Sequence, residues 1–139
     1  PAGNGVMVQN FARLYFLTGE ERFRSRADII ITAFSGELDR NFFPFATLMN
    51  GAELLQCAEQ VVVIGHRGDA DTKALLEAVF KTDSPNRVLS VIAPGATLPD
   101  GHPAAGKEQI DGAATAYVCV GPTCSLPLTQ PQALASAIG

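Results

Sequence analysis

The run VVVIGHRGDADT, residues 61–72, decides the fold. Val61, Val62, Val63 and Ile64 are four consecutive β-branched residues stopped by Gly65. Such a run reads as a strand buried on both faces. Asp69-Ala70-Asp71-Thr72 then starts a helix through Leu75, Leu76, Val79 and Phe80. Arg87–Ile92 reads as a second strand. Strand, helix and strand on short links form a βαβ unit, expected to be right-handed with parallel strands. The turn at Gly65-His66-Arg67-Gly68 precedes a helix, and a helix start can bind phosphate through its free amides. Here neither a GxGxxG nor a GK[ST] pattern is present, and Asp69 and Asp71 put negative charge where phosphate would sit. The turn therefore reads as an ordinary helix cap.

Downstream, residues 94–112 are loop-like, with four glycines and three prolines. A loop of that length in a compact domain is often functional or mobile. Thr115–Val120 reads as a third strand, and residues 130–138 as a last helix with Pro131 in its first turn.

Upstream, the period changes from strand to helix. Asn4 can cap a helix whose apolar positions Met7, Phe11, Leu14, Tyr15 and Leu17 form one stripe. Gly19 can end it in the left-handed position, and Glu20 and Glu21 suit the start of the next. That second helix carries Phe23, Ala27, Ile30, Phe34 and Leu38, with Ile29 and Ile31 widening the stripe, so it is expected to be covered on more than one side. A third helix starts near Pro44 and runs through Leu48, Met49, Ala52 and Leu55 to about Cys57, a residue placed in the core.

The chain has 139 residues, 47% hydrophobic and 17% charged, which suits one folded domain or two small pieces packed as one. A net charge of −4 argues against a nucleic-acid partner. No apolar run approaches the roughly 20 residues that span a bilayer, and the first ten residues do not read as a signal peptide. Three cysteines, an odd and small number, suit a reducing cytoplasm better than a disulfide scaffold. PAGNG, without a methionine, reads as a loop cut from something longer.

Three segments carry a resemblance: PAGNGVMVQN at the start, LYFLTGEERFRSRA at residues 14–27, and AYVCVGPTCSLPLTQPQAL at residues 116–134. In this order they resemble the C-terminal part of the spermatogenesis-associated protein 20 family. The most specific piece is Ala-Tyr-Val-Cys, four residues, Cys, then Pro127 and a last helix. The resemblance implies a thioredoxin-like domain, an α/α barrel similar to sugar epimerases and six-hairpin glycosidases, and a small α/β tail. Residues 1–58 would then be the last barrel helices. Residues 59–139 would be the tail, and the missing barrel and thioredoxin-like domain its partners. The expected fold is thus mixed α and α/β, with about three mostly parallel strands in the tail.

Cys119 and Cys124 flank a Gly121-Pro122 turn, and a tight reversal would bring them within disulfide reach. Three readings stand side by side. They are small buried apolar residues, a redox pair, or half of a zinc site completed by His66 and His102. The zinc reading takes the sheet as parallel, with the ends of the first and third strands on the same side; the alternative is that His66 and His102 are exposed loop residues. Asn4 would bond a substrate hydroxyl in an intact barrel, or cap its helix. No acid pair and no Ser-His-Asp pattern stands out, and no cofactor motif is present. The functional expectation is a structural or interaction segment of a multidomain protein, without catalysis of its own, that self-associates when its barrel neighbours are absent. The alternatives are a redox or metal-binding tail and a fragment of a carbohydrate-processing enzyme.

Overall fold

The computed structural model describes residues 2–99 and 101–138. Helices α1 (Ala2–Thr18), α2 (Glu21–Leu38) and α3 (Ala46–Cys57) come first, with a 3₁₀ turn at Phe43–Phe45. Then follow β1 (Glu59–Ile64), α4 (Ala70–Phe80), β2 (Arg87–Ile92), β3 (Thr115–Val120), β4 (Thr123–Cys124) and α5 (Pro131–Ala137).

The βαβ reading holds: β1 and β2 pair in parallel from Glu59↔Arg87 to Ile64↔Ile92. The expectation of about three mostly parallel strands does not. The sheet has four strands in the order β2-β1-β3-β4, and β3 runs antiparallel to β1, with Glu59 opposite Val120 and Ile64 opposite Thr115. The physical reason is the 93–114 connection, whose described residues form no crossover helix. Its backbone turns at Gly95, Gly101, Gly106 and Gly112, all at positive φ, and it returns the chain to the same end of the sheet that it left.

Strand alternation sends the sheet residues to two faces. Val61, Val63, Ala116 and Val118 pack against Leu75 and Val79 of α4 and Leu134 of α5. On the other face, Val62, Ile64 and Tyr117 pack under Leu98 and Ala104 of the long loop. Val88 on that side joins the helical core of Val8, Ala12, Phe16, Leu48, Leu54 and Leu55.

Within α1 the expected stripe splits, with Phe11 and Tyr15 packed against the core and its other members turned outward. The helix buries Val8, Ala12 and Phe16, and leaves Met7, Leu14 and Leu17 about 40% exposed, at 43%, 39% and 43%. Two small residues decide this. A Cβ on Gly5 would lie 2.5 Å from the carbonyl carbon of Thr47 and 2.6 Å from the Leu48 nitrogen, and one on Gly51 would lie 2.8 Å from Val8 Cγ1. The glycines therefore let α1 and α3 approach closely on the Val8–Ala12 side. Nor is α2 covered all round: Ala27 is buried, but Ile29 is 67% exposed. Asn4 lies half-buried inside α1 rather than at a cap, because the helix begins at Ala2. Cys57 is exposed, not core. The buried face of α3 runs through Leu48, Gly51, Leu54 and Leu55, and on to Ala58 beyond it, and Cys57 falls off that stripe.

Candidate functional site

The hairpin of β3 and β4 is where sequence and site meet. Gly121 takes φ +56 at the first corner, as a type II′ hairpin turn requires, and the fixed negative φ of Pro122 suits the second. Two-residue turns of this class match the strand twist, so Val120 faces Thr123 and Cys119 faces Cys124. Ser125 N donates to Val118 O at 2.7 Å, which makes Cys119 and Cys124 a pair between the ladder hydrogen bonds, where strands lie closest. Their Cα atoms are 4.0 Å apart and their sulfurs are bonded. Further on, Leu128 exchanges both backbone bonds with Ala116, one residue out of register, so the chain bulges at Leu126-Pro127.

The disulfide walls a cleft of about 440 Å³ between the hairpin, the C-terminal ends of α1 and α3, and the long loop. Cys119 is 3% exposed, whereas Cys124 is exposed. Phe16 and Leu55 form an apolar wall. Gln60 stands opposite Cys119 in the antiparallel register and lines the same cleft. It is 8% exposed, and its Oε1 has no hydrogen-bond partner among the described residues. Arg24 of α2 also lines the cleft, its guanidinium carbon 5.4 Å from the centre of the Tyr15 ring. Gln60 and Arg24 were not singled out from the sequence. A polar residue at a strand position facing the core, as in Glu59-Gln60-Val61-Val62, is the signal that marks Gln60.

The long loop is pinned to the cleft rim by His102, which is 7% exposed rather than the exposed loop residue expected. Its Nε2 lies 3.0 Å from Leu17 O and its Nδ1 accepts from Ala104 N at 3.0 Å, so both ring nitrogens are engaged within the protein. Gly19 sits beneath it at φ +73, where a Cβ would meet the His102 backbone at 2.8 Å. His66 is exposed beyond the C-terminal end of β1. Cys119 pairs near the start of that strand, four residues from Ile64 and so roughly 13 Å along it. The parallel arrangement that would bring His66 to the cysteines is therefore absent. Among the described residues no group of three or more His, Cys, Asp or Glu is placed to hold a metal ion.

At the far end of the sheet, a second cavity of about 530 Å³ lies beyond the C-terminal ends of β1 and β2, under the long loop. Lys107 lines it, donates to Pro103 O at 2.7 Å, and has its pKa lowered by burial.

At the α4 start the N-cap residue Asp69 makes no side-chain cap bond among the described residues, and the bonded acid is Asp71 in the first turn. Its Oδ2 accepts from Ala114 N at 2.7 Å and its Oδ1 from Thr72 N at 2.7 Å. These bonds, Ala114 first, hold its pKa below the ordinary carboxylate value. A depressed folded pKa means that the stabilisation is present above the ordinary carboxylate range and is lost as pH falls through the lowered value. Acid titration of unfolding stability is expected to show a loss on that limb, and Asp71→Asn is expected to flatten it. An unchanged acid limb in the variant would contradict this role.

No family model matches the chain, and no solved structure matches it. Three mammalian proteins do. Spermatogenesis-associated protein 20 of Homo sapiens is 30% identical over 142 aligned residues, that of Rattus norvegicus 29%, and that of Mus musculus 28%. Each alignment covers 94% of this chain but 17% of the relative. No helix among the described residues is long and apolar enough to cross a membrane. Across nearly its whole length, the chain is thus a homologue of one segment of the spermatogenesis-associated protein 20 family.

Proposed function

We propose that this chain is a structural and interaction segment of a longer protein, and that it contacts the rest of that protein through the outer face of α1. The observation that supports this is the exposed apolar stripe of Val6, Met7, Leu14 and Leu17, opposite the buried Val8, Ala12 and Phe16. A helix apolar on both sides is normally covered on both sides. The occupant assigned here is the rest of that longer protein, a reading supported by relatives of which the chain matches only 17%. On the family resemblance, the remainder is an α/α barrel and a thioredoxin-like domain, and residues 1–58 are the last barrel helices, with residues 59–139 as the tail. We place the protein in the cytoplasm, where the Cys119–Cys124 bond would be an exchanging disulfide rather than a static one.

Deprived of that neighbour, the chain is expected to self-associate through the same face. Light scattering should give a mass above the 14.6 kDa monomer. The triple variant Met7→Lys, Leu14→Glu, Leu17→Lys should return it to monomer without loss of helix signal. A monodisperse wild-type monomer would overturn the reading.

A further inference from the structure

We propose that the cleft beside the β3–β4 hairpin is a thiol–disulfide exchange site for a small thiol that carries a carboxylate and an amide N–H, a thiol peptide. Four observations converge there. The first is asymmetric exposure of the disulfide, with Cys119 at 3% and Cys124 exposed. An attacking thiolate therefore reaches Cys124 Sγ and leaves Cys119 as the departing sulfur. The second is Gln60, nine-tenths buried against Cys119, whose Oε1 lacks a donor among the described residues. A buried acceptor without a partner is costly, and an amide N–H from a ligand in the cleft would satisfy it. The third is Arg24, a cleft cation that forms no ion pair among the described residues, since the arginine ion pairs there belong to Arg22, Arg40 and Arg87. Guanidinium binds carboxylate in a fixed fork geometry. The fourth is volume: about 440 Å³ suits a small-molecule site.

The step balances without an added oxidant. The ligand thiol gives its proton to water and attacks Cys124 Sγ as thiolate. The bond from ligand sulfur to Cys124 forms as the bond between Cys124 and Cys119 breaks. The electron pair of the broken bond leaves on Cys119 Sγ, which takes a proton from water. One disulfide is exchanged for another. The site is independent of the α1 contact face, because Phe16 lines the cleft from the side of α1 opposite the exposed stripe.

The test uses the full chain with the disulfide closed and Cys57→Ser in the background, since Cys57 is an exposed free thiol. The probes are reduced glutathione, a peptide thiol with carboxylates, and 2-mercaptoethanol, which is neutral. With rates expressed per thiolate, glutathione is expected to open the disulfide at least about tenfold faster, the scale of one charge-assisted contact. The protein's net charge of −4 works against an anion, so the preference would be local. Arg24→Gln is expected to erase the difference between the two thiols, while Arg22→Gln, paired with Glu20 outside the cleft, should keep it. Peptide mass analysis of the trapped mixed disulfide should place glutathione on Cys124. Equal rates for the two thiols, an advantage that survives Arg24→Gln, or addition at Cys119 would each overturn the proposal.

Discussion

Arg87→Met is expected to lower unfolding stability by about 3–5 kcal/mol, the range for removing one partner of a buried ion pair. The side chain is 7% exposed and its Nε lies 2.5 Å from Glu59 Oε2. One guanidinium nitrogen donates to Val79 O, Thr82 O and Thr82 Oγ1, and the other to Ile138 O at 2.9 Å. A single group thus joins the end of α4, the start of β1 and the residue after α5. Methionine keeps the apolar stem but leaves the Glu59 carboxylate, 20% exposed, without its cation. Urea unfolding at neutral pH measures the loss. Arg87→Lys should recover only part of it, because an ammonium cannot reproduce the planar fork. A variant within about 0.5 kcal/mol of wild type, as for an ordinary surface change, would contradict this role.

Leu134→Ala is the second large effect, at about 2–5 kcal/mol by the usual cost of truncating a buried leucine. Leu134 is fully buried, and α5 is only seven residues long. A helix that short has no independent stability. It is held by Leu134 and Ile138 against Leu75, Val79 and Ala116, and by the Arg87 bond to Ile138 O. The two anchors share one element, so the double variant is expected to be non-additive. Hydrogen exchange at Leu134 N and Ile138 N should rise first. If urea stability is unchanged, α5 is not part of the cooperative unit.

Much of this architecture could be read from particular residues. The β-branched run Val61–Ile64 and the spacing of Leu75, Leu76 and Val79 located β1 and α4, since strand and helix periods are local properties. The direction of β3 was not local. It depends on where a connection without periodic pattern delivers the chain, and nothing in Thr115–Val120 distinguishes a parallel from an antiparallel partner. In α1 the large side chains marked only part of the buried face, through Phe11 and Tyr15, and missed its centre at Val8 and Ala12. Gly5 and Gly51 carried the deciding information, because close helix approach needs small residues rather than large ones. The disulfide pairing was open as one reading of the Gly121-Pro122 turn. Its surroundings were not legible, since Gln60, Arg24 and His102 meet there only through tertiary packing.

The outer face of α1 as a contact surface is tested most directly at Met7, one of only two methionines in the chain. Oxidation of an exposed thioether by dilute peroxide reports its access to solvent. The rate of sulfoxide formation at Met7 would be followed by peptide mass analysis in wild type and in the Leu14→Glu, Leu17→Lys variant, across a range of protein concentrations. Protection of Met7 that grows with concentration in wild type, and is absent in the variant, is the expected result. A rate at Met7 that is the same in both proteins at every concentration would contradict the account.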